Sequence, residues 1–162
     1  GLEDQDEPRL EFVVDRSYQV GSGTKTLTLE PHDGFAVEYH LSYPPPIGDQ
    51  SFSFDLTDLA AYEREIAPAR TFGFMRDLKM LNELGLGSGG RLDNFILVGE
   101  DDVINTELRF PDEFVRHKIL DVIGDLYLLG YPIRGKATAR LTGHRDTIAL
   151  LRLLVAENTI SD

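Results

Sequence analysis

Large apolar residues alternate with polar ones over the first third of the chain, at a period of two. The apolar members of this alternation are Leu27, Leu29, Phe35, Val37, Tyr39, Leu41, Phe52 and Phe54. Because successive side chains of a strand point to opposite faces of a sheet, the pattern predicts β-strands with one buried face between Leu10 and Phe54.

Beyond Phe54 the hydrophobic period lengthens to that of helices, with short strands between them. Helices are predicted over residues 57–66, 75–84, 112–129 and 145–156, and extended segments or strands over residues 69–74, 95–98 and 133–141. Gly85 closes the second of these helices, and Gly130 and Pro132 end the third. The mixture predicts an α+β fold, a two-layer sandwich in which helices pack on one face of a largely antiparallel sheet.

The length of 162 residues suffices for one compact domain with a sizeable core. Residues 1–9 are acidic and polar, and we expect them to form a disordered lead-in to a domain that spans residues 10–162. The chain begins with Gly1 and not with methionine, which indicates a fragment of a longer protein. No apolar run is long enough to cross a bilayer, so no transmembrane segment is predicted.

Composition removes several classes of function. The net charge of −12, from 16 basic and 28 acidic residues, repels phosphate backbones and argues against nucleic-acid binding. The absence of cysteine excludes disulfides, thiolate metal sites and cysteine nucleophiles, and it fits a reducing compartment. A small anionic ligand stays compatible with this charge, because it needs only one or two local cations.

Three polar residues of the predicted helix 112–129 follow one another at a spacing of four: His117, Asp121 and Asp125. This spacing places them on one ridge of the helix. A histidine and a carboxylate one turn apart can ligate the same metal ion, and this pair of ligands suits zinc or iron(II). The alternative is a surface pair in which His117 and Asp121 bond to each other. A catalytic zinc site takes three protein ligands, so a third must come from elsewhere.

The other three histidines differ in their surroundings. His32 precedes the Asp33-Gly34 turn, and His40 lies on the polar side of its strand, so both are interpreted as surface residues. His144 lies between a predicted strand and a predicted helix, where loops often present functional groups. His144 could equally be a histidine that only caps the start of the helix, and both interpretations stay open at this point.

Five groups of residues carry a resemblance to a known family and follow the family's order. They are ARTFGF at residues 69–74, Gly89-Gly90 with Leu92-Asp93-Asn94, Leu108-Arg109-Phe110 with Glu113-Phe114-Val115-Arg116, HKILDVIGDL at residues 117–126, and Gly143-His144. The set resembles the LpxC family, the UDP-3-O-acyl-N-acetylglucosamine deacetylases of lipid A biosynthesis. The dense part of the resemblance covers residues 66–144.

The resemblance implies a zinc site and an acid–base pair. His117 and Asp121 would be two of three Zn²⁺ ligands, while the third histidine and a glutamate base would belong to a preceding N-terminal domain. Asp125 would orient His144, whose imidazole would stabilise the oxyanion or protonate the leaving amine. Thr71 would donate a hydrogen bond to the oxyanion.

The resemblance also implies a substrate surface. Phe72 would pack against the sugar or the nucleotide, and Lys118 would be a cation for the diphosphate or the sugar. Gly90 would lie in a loop at the mouth of an acyl-chain passage, within an insert at about residues 69–104.

Three hypotheses follow. In the first, the chain is the C-terminal domain of the cytoplasmic zinc deacetylase, inactive without its N-terminal domain. In the second, it is a non-catalytic module that binds a nucleotide sugar through Lys118 and Phe72. In the third, it is a structural half-domain whose polar ridge only packs against a partner.

Overall fold

The computed structural model describes residues 9–56, 59–77 and 94–158, and the account below concerns those residues. The strands are β1 (Phe12–Val13), β2 (Tyr18–Ser22), β3 (Lys25–Glu30), β4 (Phe35–Ser42), β5 (Asp49–Asp55), β6 (Thr71–Phe74), β7 (Phe95–Val98) and β8 (Ile133–Arg140). The α-helices are α1 (Leu59–Glu65), α2 (Glu113–Leu126) and α3 (His144–Asn158). The predicted strands and the helices at 57–66, 112–129 and 145–156 are thus confirmed within a few residues.

Six of the described strands form one open sheet with the order β2-β3-β8-β4-β5, and β1 pairs with the start of β8. The β2–β3, β3–β8 and β4–β5 ladders are antiparallel. The β1–β8 and β4–β8 ladders are parallel. Parallel strands need a long crossover connection, and the segment between β5 and β8, which contains α2, provides it for β4 and β8. The α+β prediction is confirmed: the sheet is mixed, and most of its pairing is antiparallel, as expected.

One face of the sheet carries the core. Its buried residues are Leu27, Leu29, Val37, Tyr39, Ala137 and Ala139. Both α2 and α3 pack on this face and against each other, which confirms the two layers. The opposite face of the sheet is polar and carries, for example, an ion pair of 2.6 Å between Lys136 and Glu38.

The helix α2 ends as its sequence predicts. A 3₁₀ turn, Tyr127–Leu129, follows it, and Gly130 then adopts a left-handed backbone with φ of 83°. Among the helices that the structure describes, none combines the length and apolarity needed to cross a bilayer.

Parts of the sequence prediction lie outside the described residues. They are the lead-in at residues 1–8, most of the helix predicted at 75–84, and the glycine loop that contains Gly90. Of that helix the structure describes only Met75–Asp77, which form a 3₁₀ turn after β6. The proposed insert at 69–104 is therefore described by β6, this turn and β7, with β6 and β7 paired in a separate parallel sheet.

Candidate active site

A cavity of about 350 Å³ opens where the end of β4, strand β6, helix α2 and the start of α3 meet. Its lining residues are Tyr43, Thr71, Phe72, Gly73, Phe74, Asp77, His117, Lys118, Asp121 and His144. The structure therefore brings six of the predicted site residues into one cavity, although 73 positions separate the first from the last. Asp125 joins them through His144, and Gly90 lies outside the described residues.

His117 and Asp121 face the same cavity from successive turns of α2. The Nε2 atom of His117 lies 3.3 Å from Oδ1 of Asp121, and both side chains are largely buried. The other ring nitrogen of His117, Nδ1, lies 3.2 Å from the carbonyl oxygen of Ala69. A carbonyl only accepts hydrogen bonds, so this contact assigns the proton of a neutral ring to Nδ1 and leaves Nε2 a lone pair.

Nε2 of His117 and Oδ1 of Asp121 thus face each other as two hydrogen-bond acceptors. Such a contact is stable only with a proton or a cation between the two atoms. A second proton on the imidazole satisfies the arrangement, and so does a divalent cation bound by both atoms. The hydrogen bond from Nδ1 to a backbone carbonyl is also the contact that metal-bound histidines commonly make. The residues present therefore fit a zinc ion, and they fit the surface pair as well.

The described residues supply two donors to such an ion. Within residues 9–56, 59–77 and 94–158, no group of three His, Cys, Asp or Glu side chains is placed to hold a metal. Lys118 adds a positive charge beside the pair, since its Nζ lies 2.6 Å from Oδ2 of Asp121. Asp121 therefore presents one oxygen to His117 and the other to Lys118.

His144 is the first residue of α3 and reaches back to α2. Its Nδ1 atom lies 2.8 Å from Oδ2 of Asp125. The Asp125 carboxylate is 16% exposed and the His144 side chain 68%, so the histidine meets solvent while its partner is held within the fold. With Asp125 on Nδ1, the Nε2 atom of His144 is left to act as donor or acceptor.

Aromatic rings form one wall of the cavity. The ring of Phe72 contacts those of Phe114 and His117 edge to face, with centroids 5.0 and 6.4 Å apart. Tyr43, which follows β4, and Phe74 complete the cluster, with their centroids 5.6 Å apart. Neither had been singled out as a site residue. The alternation of Phe72 and Phe74 along β6 was the signal that could have placed Phe74 on the same side.

A buried ion pair joins β6 to the start of α2. The Glu113 carboxylate accepts hydrogen bonds from Nε of Arg70 at 2.9 Å and from the Arg70 amide at 3.0 Å. It also accepts from the Arg109 amide at 2.6 Å. Burial raises the pKa of Glu113, but the hydrogen bonds and charge of Arg70 outweigh it and hold that pKa below its ordinary value. Arg70 lies between Ala69, which accepts from His117, and Thr71 in the cavity, so the pair ties this segment to the start of α2.

The remaining histidines lie outside this cavity. His40 is on the polar face of the sheet, where its Nε2 lies 2.9 Å from Oε1 of Glu38 and its Nδ1 lies 2.9 Å from Oγ of Ser51. His32 lies in the connection from β3 to β4. Of the four histidines, only His117 and His144 reach the cavity.

The sequence also matches a protein family and named relatives. The family model described as UDP-3-O-acyl N-acetylglycosamine deacetylase, LpxC, matches residues 1–156. A UDP-3-O-acyl-N-acetylglucosamine deacetylase of Anaeromyxobacter sp. is 45% identical over 97% of this chain and 52% of its own length. The protein of the same name from Anaeromyxobacter dehalogenans is 46% identical over 90% of this chain and 48% of its own length.

A third relative of the same name, from Acidithiobacillus ferrooxidans, is 41% identical over 96% of this chain and 52% of its own length. The chain thus spans about half the length of the curated relatives it matches. The family match covers every described element from β1 to the last turns of α3, including all the cavity residues. This chain belongs to the LpxC family.

Proposed function

We propose that the chain is the C-terminal half of a zinc-dependent deacetylase that hydrolyses the acetamide of a UDP-linked 3-O-acyl-N-acetylglucosamine in lipid A biosynthesis. The observation that carries the proposal is the pair of acceptors in the cavity, Nε2 of His117 and Oδ1 of Asp121, 3.3 Å apart. The names of the relatives support the substrate and the reaction. The reaction would take place in the cytoplasm, and the half described here would be inactive alone.

His117 and Asp121 would hold the zinc, with a third ligand from the N-terminal half. When bound, zinc lowers the pKa of a coordinated water toward neutrality and polarises the carbonyl of an amide. The Ala69 carbonyl would keep the His117 ring oriented by accepting its Nδ1 proton. Two ligands make an incomplete catalytic site, which is the physical reason for expecting no hydrolysis by this chain alone.

The pair of His144 and Asp125 would stabilise the oxyanion or protonate the leaving nitrogen. Asp125 would orient the ring by accepting from Nδ1, and a protonated His144 would then donate from Nε2–H to the oxyanion or to the departing amine. The hydroxyl of Thr71, at the cavity edge on β6, would donate a second hydrogen bond to the oxyanion.

The remaining cavity residues would bind the substrate. Lys118 would attract the diphosphate or the sugar, and its existing pair with Asp121 would keep it inside the cavity. Phe72 would offer an apolar wall to the sugar or the nucleotide. The insert at 69–104, with Gly90 in its glycine loop, would border the passage for the acyl chain.

A non-catalytic module that binds nucleotide sugars is the second candidate. It is favoured by Lys118 and Phe72 in a cavity where the described residues offer only two metal donors. A titration with a UDP-sugar in the presence and absence of a chelator separates the two. Affinity that depends on metal argues for the enzyme, whereas binding that ignores the chelator argues for the module.

The direct test joins this chain to the portion of the Anaeromyxobacter dehalogenans relative that it does not cover. The joined polypeptide should release acetate from UDP-3-O-acyl-N-acetylglucosamine, and this chain alone should release none. His117→Ala should abolish the release. His40→Ala removes a histidine that also pairs with a carboxylate, but on the opposite face of the sheet, and it should leave the rate unchanged. Hydrolysis by this chain alone, or by the His117→Ala polypeptide, would contradict the proposal.

A further inference from the structure

The turn between β8 and α3 carries His144 into the cavity and has an unusual backbone. Leu141 has φ of 51°, and it is the one non-glycine residue with positive φ in the part of the chain that the structure describes. A branched side chain rarely adopts this conformation, which persists only where the surrounding structure holds it. Specific contacts must therefore fix the turn.

Three such contacts are present, one at each residue of the turn. The Leu141 amide donates to the His40 carbonyl at 3.2 Å. The Gly143 amide donates to Oδ2 of Asp146 at 2.8 Å. Between them, the hydroxyl of Tyr39 donates to the Thr142 carbonyl. Thr142 is buried, and its own hydroxyl has no partner among the described residues, so the carbonyl is the group through which this residue is tied to the sheet.

Tyr39 also contacts the other side of the cavity. Its ring is 1% exposed in the core of β4, and the ammonium of Lys118 lies 5.9 Å from the ring centroid. Burial raises the pKa of the Tyr39 hydroxyl, so the hydroxyl stays protonated and remains a donor. One side chain of the sheet thus touches both α2 and the turn before α3.

We propose that Tyr39 is a positioning residue that holds the Thr142 carbonyl and thereby places His144 against Asp125. Packing cannot fix His144, because its side chain is 68% exposed. Its reach to Asp125 depends instead on where the backbone two residues earlier is held. The proposal rests on the proposed role of His144. It adds Tyr39, a residue of the main sheet, to a site whose other predicted residues lie on β6 and on the helices α2 and α3.

The variant Tyr39→Phe removes one hydroxyl and keeps the ring in the core. Tyr18→Phe is the matched control, since Tyr18 is 3% exposed on β2 of the same sheet, and its hydroxyl bonds to Asn158 and Asp15. Hydrogen exchange at the backbone amides of this chain, followed by NMR, gives the readout. In Tyr39→Phe the amides of Leu141 and Gly143 should exchange about tenfold faster, because one local hydrogen bond is lost. Amides in β2 and β3 should not change, and Tyr18→Phe should leave the turn unaffected.

Uniform acceleration across the sheet would show a merely structural role and overturn the proposal, as would unchanged exchange in the turn. In the joined polypeptide, Tyr39→Phe should lower kcat about tenfold at unchanged KM, and Tyr18→Phe should change neither. A loss confined to KM would also overturn it. If His144→Ala has no effect on kcat, the proposed role of His144 fails, and that failure is separate from the exchange result for Tyr39.

Discussion

Glu113 is completely buried at the first turn of α2, and its two carboxylate oxygens receive hydrogen bonds from Arg70 and Arg109. Arg70 in turn donates to Oγ1 of Thr106 and to the Glu107 carbonyl. Each charge is thus compensated within the fold, as burial requires. Removing one partner would leave the other charge buried without compensation.

Glu113→Gln should lower the free energy of unfolding by about 3–5 kcal/mol, because Arg70 loses its counter-charge inside the protein. Urea denaturation at neutral pH measures the loss. Glu65→Gln is the control. It weakens a partly exposed pair with Arg116 and should cost at most about 1 kcal/mol. Similar losses in the two variants would contradict the account of the buried pair.

The same carboxylate makes stability depend on pH. Its pKa in the folded chain lies below the ordinary value of 4.5, so the unfolded chain takes up the proton first as the pH falls. The contribution of Glu113 is therefore complete above that value and is lost as the pH falls through the folded pKa. Urea midpoints between pH 7 and pH 3 should decline more steeply for the native chain than for Glu113→Gln. Equal slopes would show that Glu113 is not responsible.

At the residue scale the sequence indicated His117 and Asp121 through their spacing, but it did not indicate Glu113 or Tyr39. A glutamate at a helix start has an adequate local explanation in the helix dipole. Its true partner, Arg70, lies 43 positions away, and nothing in the sequence marks the pairing. Tyr39 was recognised only as a core residue of its strand, because the contact of its hydroxyl with Thr142 depends on the tertiary fold.

Among the elements, α2 combines a core face with a polar ridge. Its buried face was predictable in part, because apolar residues recur at helical spacing, and the predicted core residues Phe114, Ile119 and Leu126 are buried. Tyr127, expected in the same core, is 63% exposed. The parallel pairing of β4 with β8 was not predictable. The alternation of apolar and polar residues identifies a strand and its buried face, but it does not indicate which strand pairs with it. Gly124, beside the ridge, is the residue of α2 with the lowest helix propensity.

Gly124→Ala should raise the free energy of unfolding of this chain by about 0.5–1 kcal/mol. A Cβ atom there would meet nothing within 4 Å, and alanine loses less backbone freedom in a helix. Gly130→Ala is the contrast, since that site is equally open, but its φ of 83° strains any other residue. It should cost about 1–2 kcal/mol. Chemical denaturation of both variants gives the comparison, and destabilisation by Gly124→Ala would contradict the open geometry.

For the whole molecule, the ridge of α2 formed by His117, Asp121 and Asp125 borders the cavity between the sheet, β6 and the start of α3. Large apolar side chains lie exposed at the end of the same helix, with Tyr127 at 63% and Leu128 at 68%. Exposed apolar surface beside a polar ridge is typical of a face that another domain covers. This agrees with a chain that spans about half of its relatives and with the proposal that the other half completes the site.

The sandwich could be predicted at this scale because the period of the hydrophobic pattern changes clearly from strand to helix. The cavity could be anticipated only through the family resemblance, since its residues come from segments distant in the sequence.

The measurement that tests the central claim most directly is the zinc affinity of the joined polypeptide, determined by competition with a chromophoric chelator. His117→Ala and Asp121→Asn should each weaken the affinity by more than about a hundredfold. That exceeds the loss of about 10- to 100-fold expected when a residue that only hydrogen-bonds to a metal ligand is removed. His40→Ala, which breaks a comparable pair with Glu38, should leave it unchanged. Undiminished zinc binding in His117→Ala and Asp121→Asn would contradict the assignment of this pair as metal ligands.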